Sequence, residues 1–371
     1  MNDLPISSAK PSPADQPLRV TVLGGGSFGT AMANLAARNG CQTRMWIRDA
    51  AVAAQMQATR RNQRYLPDFE LHESLRYSGD LAEVVQDCEV LLVAVPSHSF
   101  RAVLKQVATL LAGSSVQPVV VSLTKGIEAD SFALMSDIIH AELPRVEYGV
   151  LSGPNLAKEI MSGMPAGTVI ASHSERVRAV VHRALASALF RVFANTDMQG
   201  VELGGALKNI YAVAMGMGAA YQVGENTRSM LLTRALAEMS RFAVQLGANP
   251  LTFLGLSGVG DLFATCSSPL SRNYQIGLAL GQGKSLEDAV KALGQTAEGI
   301  NTIRQVRAQA QALQVYMPIT NALYEVIYEG KPPLGIALSL MQNGHRSDVE
   351  FVLPHQSPDA APSSVTPIQE I

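Results

Sequence analysis

The chain has 371 residues, more than one hydrophobic core usually accommodates, so two domains are expected. Hydrophobic residues make up 47%, charged residues 16%, and the formal charge is -2, which excludes a broad electrostatic footprint for nucleic acid or an anionic membrane. Cys41, Cys88 and Cys266 are scattered in no CxxC or metal-binding spacing, which argues against a disulfide framework or a metal site and fits a reducing, cytoplasmic setting.

Residues 1–17 are polar and proline-rich and lack the apolar segment of a signal peptide, so a flexible N-terminal extension is expected. RVTVL (Arg19–Leu23) reads as a short buried strand ending in glycines. Ser27 to Asn39 then has helical spacing, with Gly40 just past its end. TRMWI (Thr43–Ile47), EVLLVAVP (Glu89–Pro96), PVVVSL (Pro118–Leu123), YGVLSG (Tyr148–Gly153), GTVIAS (Gly167–Ser172) and RVFAN (Arg191–Asn195) continue the strand series, with helical segments between. Such alternation predicts an α/β fold, a doubly wound parallel sheet covered on both faces, over residues 18–197. After Asp197 the pattern changes. Gly200–Tyr221, Thr227–Leu246, Asn273–Leu280, Ser285–Leu293, Gly299–Leu313 and Met317–Tyr328 all read as helices with no strand between them. An all-α domain is expected over 198–344, followed by a flexible proline- and serine-rich tail, 345–371. No apolar run is long enough to span a bilayer.

The first strand–helix junction, VLGGGSFGTAMA, holds Gly24-x-Gly26-x-x-Gly29. Gly24 permits the tight turn, Gly26 lets the backbone approach a pyrophosphate, and Gly29 allows the helix to pack on the strand. The unpaired N–H groups and positive dipole end of the helix complete a dinucleotide phosphate site. About twenty residues on, the second strand closes in Arg48-Asp49. An arginine there suits the 2′-phosphate of NADP, whereas the neighbouring acid suits the ribose of NAD, so both cofactors stay open.

LGGALKNIY (Leu203–Tyr211) places one lysine, Lys208, in an apolar run of helical periodicity. An ammonium there loses hydration and its pKa falls unless it finds a partner. The alternative is a snorkelling side chain that covers apolar surface with its stem. Other polar groups stand where strands end: Lys125 in SLTKGIE and Asn155 in LSGPNLAKEI. Asp261 in GVGDLFATC reads as an N-cap or a functional acid, and Ser271, Arg272 and Asn273 in SPLSRNYQIG open a helix that suits a phosphate.

Together with GGGSFGTA, ELGGALKN and TAEGINT, these motifs make the chain resemble the NAD(P)-dependent glycerol-3-phosphate dehydrogenases of bacterial type, from about Arg19 to Gln342. The resemblance implies a Rossmann domain joined to an all-helical domain, with the active site between them. It implies reversible reduction of dihydroxyacetone phosphate to sn-glycerol 3-phosphate, the backbone of phospholipid synthesis, with NADP or NAD. Carried over, Ser27, Phe28, Arg48, Lys125, Ala157, Arg272, Thr296 and Glu298 are cofactor contacts. Lys125, Gly153, Asn155, Lys208, Asp261, Ser271, Arg272 and Asn273 are substrate contacts. Lys208 takes the role of proton acceptor and donor, Lys125 of carbonyl polarisation, and Asp261 of orienting Lys208. Asn155 departs from the family's serine or threonine, and Thr296 from a usual apolar residue. The terminal extensions have no family counterpart, and a homodimer stays open.

Two other functions share part of this pattern. A dehydrogenase of 3-hydroxy acids would carry the same glycine turn but more often a histidine base. A dinucleotide-binding redox sensor would have no need of Lys125, Lys208 and Asp261 together.

Overall fold

The computed structural model describes residues 16–114, 117–129, 131–269, 271–293 and 298–335. Most of the expected N-terminal extension, the whole expected C-terminal tail and Thr296 lie outside the described residues. Eight strands form one sheet in the order β3-β2-β1-β4-β5-β6-β7-β8. They are β1 (Arg19–Leu23), β2 (Gln42–Trp46), β3 (Arg76–Ser78), β4 (Val90–Val93), β5 (Val119–Ser122), β6 (Tyr148–Ser152), β7 (Ala166–Ala171) and β8 (Phe190–Asn195). The helices between them are α1 (Ser27–Arg38), α2 (Ala50–Thr59), α3 (Leu81–Val85), α4 (Ser97–Leu111), α5 (Met135–Glu142), α6 (Ala157–Met161) and α7 (Glu175–Leu185).

Successive strand residues point to opposite faces, and each face has its own core. Val119 and Val121 of β5 join the cluster under α1, α2, α6 and α7, whereas Val120 joins the one under α3, α4 and α5. The valine-rich strands are buried on both sides, the pattern of a doubly wound α/β sheet.

The sheet departs from the expected all-parallel form at one pair. β7 runs antiparallel to β6, while β8 runs parallel to β7. The connection between β6 and β7 carries only the five-residue α6. A helix that short rises about 7.5 Å, too little to carry the chain back along a strand for a parallel return. β3 escapes the periodicity because its three residues, partly or fully exposed at the sheet edge, carry no apolar alternation.

Beyond β8 the described residues contain helices only. These are α8 (Met198–Ala220), α9 (Glu225–Gln245), α10 (Asp261–Ser267), α11 (Arg272–Gly281), α12 (Leu286–Leu293), α13 (Glu298–Ala312) and α14 (Pro318–Glu329). A 3-10 turn (Pro250–Leu254) and a π-helical turn (Leu256–Gly260) lead into α10. Helix α8 is the axis of this half and is buried on all sides from Gly200 to Met217. Two adjacent glycines make that possible: a Cβ on Gly204 would stand 2.4 Å from the Ser257 carbonyl oxygen, and one on Gly205 would stand 2.6 Å from Ser152 Oγ. Gly204 thus lets α8 approach the turn before α10, and Gly205 lets it approach β6.

Candidate active site

The loop after β1 has the geometry that its glycines demand. Gly24 has φ +117°, and a Cβ on it would meet the Ala94 carbonyl oxygen at 2.5 Å. A Cβ on Gly29 would meet the Gly24 carbonyl oxygen at 2.4 Å, so α1 packs onto the turn only with glycine there. Gly26, the N-cap of α1, has no atom within 4 Å of a built Cβ, and no side chain caps the helix. Open space beside uncapped N–H groups fits a pyrophosphate. Ser27 and Phe28 open the helix, half-exposed, and Phe28 and Ala157 pack on the same core cluster.

The residues closing β2 divide their roles. The Asp49 carboxylate caps α2, accepting from Ala51 N at 2.9 Å and Val52 N at 3.3 Å. Arg48 is exposed. The acid therefore has a local structural task through Oδ1.

Three segments distant in sequence meet at one carboxylate. Lys125, just after β5, donates to Asp261 Oδ2 at 2.6 Å and to the Gly153 carbonyl oxygen at 2.9 Å. Lys208, on α8, donates to Asp261 Oδ1 and to Thr265 Oγ1, the latter at 2.8 Å. Asp261 is 1% exposed and Lys208 7%. Burial, reinforced by the like charge of Lys125, pushes the Lys208 ammonium below its ordinary range, against the opposing pull of Asp261. Lys208 is thus a buried, hydrogen-bonded ammonium rather than a snorkelling one.

The remaining positions surround this cluster unevenly. Gly153 has φ +154° and presents its carbonyl oxygen to Lys125. Asn155 spends its side chain on β7, donating to the Gly167 carbonyl at 3.0 Å and accepting from Thr168 Oγ1 at 2.8 Å. Ser271 caps α11 by accepting from Tyr274 N at 3.4 Å. Asn273 accepts from Gly299 N at 3.1 Å, which ties α11 to the start of α13. Glu298 opens α13, and burial raises its carboxyl pKa while Arg272, Lys125 and Lys208 pull it down. Glu298 Oε2 also lies 3.8 Å from a Cβ built on Gly126, so α13 reaches the loop that carries Lys125.

Several participants were not singled out from sequence. Thr265 stands one turn after Asp261 on α10, so i, i+4 spacing could have found it. Asn62 donates to the Gly25 carbonyl at 2.9 Å and to Thr30 Oγ1 at 2.9 Å, pinning the glycine turn from a segment with no periodic signal. Among the described residues Ser152 Oγ is buried with no hydrogen-bond partner, beside α8. No group of histidine, cysteine or acidic side chains among the described residues could hold a metal ion. No helix among them is long and apolar enough to cross a membrane.

The comparisons with known proteins agree with one another. The NAD-dependent glycerol-3-phosphate dehydrogenase N-terminus pattern matches residues 19–178, and the corresponding C-terminus pattern matches residues 197–337. The chain is 74% identical over 338 residues to glycerol-3-phosphate dehydrogenase (NAD(P)+) of Acinetobacter baumannii (strain SDF), covering 91% of this chain and 94% of that one. It is 71% identical to the enzyme of the same name from Acinetobacter baylyi, with the same coverage. Among solved structures, glycerol-3-phosphate dehydrogenase from Coxiella burnetii superposes with a TM-score of 0.83 at 35% identity, covering 88% of this chain and 99% of that chain. The chain belongs to the NAD-dependent glycerol-3-phosphate dehydrogenase family.

Proposed function

We propose that the protein reversibly reduces dihydroxyacetone phosphate to sn-glycerol 3-phosphate with NADPH or NADH, supplying the backbone of phospholipids. The observation that carries this is the Lys125–Asp261–Lys208 cluster, which joins the nucleotide half, with the sheet, to the helical half beyond β8. When bound, the dihydronicotinamide supplies a hydride to the carbonyl carbon. The protein must then supply a proton to the carbonyl oxygen. Lys208, with its proton affinity lowered by burial, is suited to give that proton in reduction and take it back in oxidation. Lys125 adds positive charge beside the developing alkoxide. Asp261 holds both ammoniums in register, and Thr265 fixes the direction of Lys208.

For the phosphate we assign the first turn of α11. Ser271 and Asn273 use their oxygens on backbone N–H groups, which leaves hydroxyl and amide hydrogens as donors. Arg272 between them adds charge at the positive end of a helix. Gly153 and Asn155, whose amide keeps one hydrogen after its bonds to β7, complete the substrate contacts. Gly24, Gly26, Gly29, Ser27, Phe28, Ala157 and Glu298 complete the cofactor contacts, with Arg48 toward the adenosine end. The Asp49 cap uses Oδ1 alone, so NADP and NAD both stay in the proposal.

A cytoplasmic location and a homodimer belong to the same proposal. Three free, buried thiols support a reducing compartment. Exposed Leu189, Phe193 and Leu251 beside the open edge of β8 support a second copy as partner, which sedimentation would measure. The direct test of the activity is oxidation of NADPH and NADH by the purified protein, with and without dihydroxyacetone phosphate. Absence of ketone-dependent oxidation would overturn it.

A further inference from the structure

Glu202 lies on α8, six residues before Lys208, and is 7% exposed. Its carboxylate accepts from Ser136 N at 3.0 Å and from Ser136 Oγ, both at the first turn of α5 in the nucleotide half. Burial raises its pKa to about 7 and nearby Asp137 adds to the rise, so the group is held there against desolvation and like charge. Glu202 caps α5 from another element: the N-cap residue Leu134 has no side-chain acceptor, and Asp137 accepts from Leu134 N at 2.9 Å rather than from the free N–H groups of the first turn.

The position of Glu202 on α8 gives that cap a second consequence. Glu202, Gly205 and Lys208 follow at three-residue spacing, one row along the helix. Glu202 bonds to α5, and Gly205 lies against Ser152 and the stem of Lys125, 3.4 Å from its Cγ to a built Cβ. Lys208 meets the carboxylate that Lys125 also binds. The segment linking Lys125 to α5 is itself braced. Arg101 of α4 donates to both oxygens of Glu128 at 2.7 Å and to Glu142 at the end of α5 at 2.6 Å. Ile127 and Leu134 of that segment join the core of the helical half, and Phe132 meets Phe242 with ring centroids 6.0 Å apart. Lys125 and Lys208 are therefore tied twice, once through Asp261 and once through the bracket from Lys125 to α5, Ser136 and Glu202.

We propose that Glu202 is a positioning residue: through Ser136 it clamps α8 to α5 and sets the spacing of Lys208 from Lys125. The proposal rests on the catalytic reading of the two lysines given above. A misplacement of about 1 Å at reacting groups slows a reaction far more than the strength of one hydrogen bond would suggest.

The test uses Glu202→Ala, Glu202→Gln, Ser136→Ala and the double variant Glu202→Ala/Ser136→Ala. Turnover, KM for dihydroxyacetone phosphate, NADPH binding and thermal unfolding are measured for each. Glu202→Ala is expected to lower kcat about 10–100-fold, with KM and NADPH affinity within about twofold. Glu202→Gln should recover most of the loss, because an amide oxygen still accepts from Ser136 N. Ser136→Ala should lower kcat in the same sense, and the double variant should add little to Glu202→Ala. If Glu202→Ala fails to fold, Ser136→Ala carries the test, since it deletes a single hydroxyl. Folded variants with wild-type kcat and only a lowered melting temperature would overturn the proposal while leaving the assigned activity intact. A wild-type protein without ketone-dependent turnover would overturn both.

Discussion

The turn between β1 and α1 and the cluster around Asp261 are made of different material. The turn is backbone: four glycines stand within six residues, and their function is to carry no side chain. The cluster is side chain: two ammoniums and one carboxylate brought from the loop after β5, α8 and α10. A backbone site should tolerate changes of charge and fail when a Cβ intrudes. A charge cluster should fail when a proton or a charge is lost, or when its spacing changes. The same contrast recurs between the lysines. The Lys125 side chain is 18% exposed and the Lys208 side chain 8%, and burial acts on Lys208 together with the charge of Lys125.

The largest effect is expected at Lys208. Lys208→Ala should lower turnover by about 10²–10⁴-fold while the fold and NADPH binding persist. Lys208→Arg should not restore the rate, because a guanidinium keeps its proton at working pH. The pH profile gives the sign independently. Reduction needs Lys208 protonated, so its rate should fall as pH rises through the lowered pKa, and oxidation should rise over the same interval. Single-turnover NADPH oxidation across pH measures this, and a fast Lys208→Arg enzyme would move the proton-transfer role to Lys125.

The phosphate end comes next. Dihydroxyacetone lacking its phosphate should be a very poor substrate, since it forfeits charge-assisted hydrogen bonds to Arg272 and Asn273, each worth roughly 1.5–3 kcal/mol. Arg272→Ala should weaken capture of the phosphorylated ketone far more than it lowers the melting temperature. Equal kcat/KM for the two ketones would remove Arg272 and Asn273 from the phosphate.

Gly29→Ala breaks the comparison from the backbone side. The new methyl would enter the Gly24 carbonyl oxygen, an immovable neighbour, and overpacking of this kind costs about 1–3 kcal/mol. Loss of NADPH affinity should accompany the loss of stability, whereas turnover at saturating cofactor should change less. Thermal unfolding with and without NADPH separates the two.

An effect of similar size distinguishes the two cofactors. If Arg48 meets a 2′-phosphate, Arg48→Ala should weaken NADPH relative to NADH by about 1.5–3 kcal/mol, the range of a charged hydrogen bond. Equal weakening of both, read by fluorescence titration, would place Arg48 against the adenine or in solvent.

Residue order alone carried the features whose cause is local. Glycines at Gly24, Gly26 and Gly29 after a valine-rich strand specify a turn because the missing Cβ atoms act within six residues. The shift from short continuous apolar strands to period-3.6 helices near Asp197 separates an α/β half from an all-α half. Lys208 was conspicuous because charge in an apolar helical run is costly wherever the helix packs.

Tertiary structure decided what depends on partners far along the chain. Asp261 became the shared anchor of two lysines, with Thr265 beside it, only when α8 and α10 met the end of β5. The reversal of β7 follows from a connection too short to return in parallel, and Asp49 turned out to be a helix cap. The Glu202–Ser136 bond spans 66 positions and leaves no periodic trace. Periodicity and turn chemistry record the forces between neighbours in sequence, whereas hydrogen bonds across the domain boundary depend on distances that only packing creates.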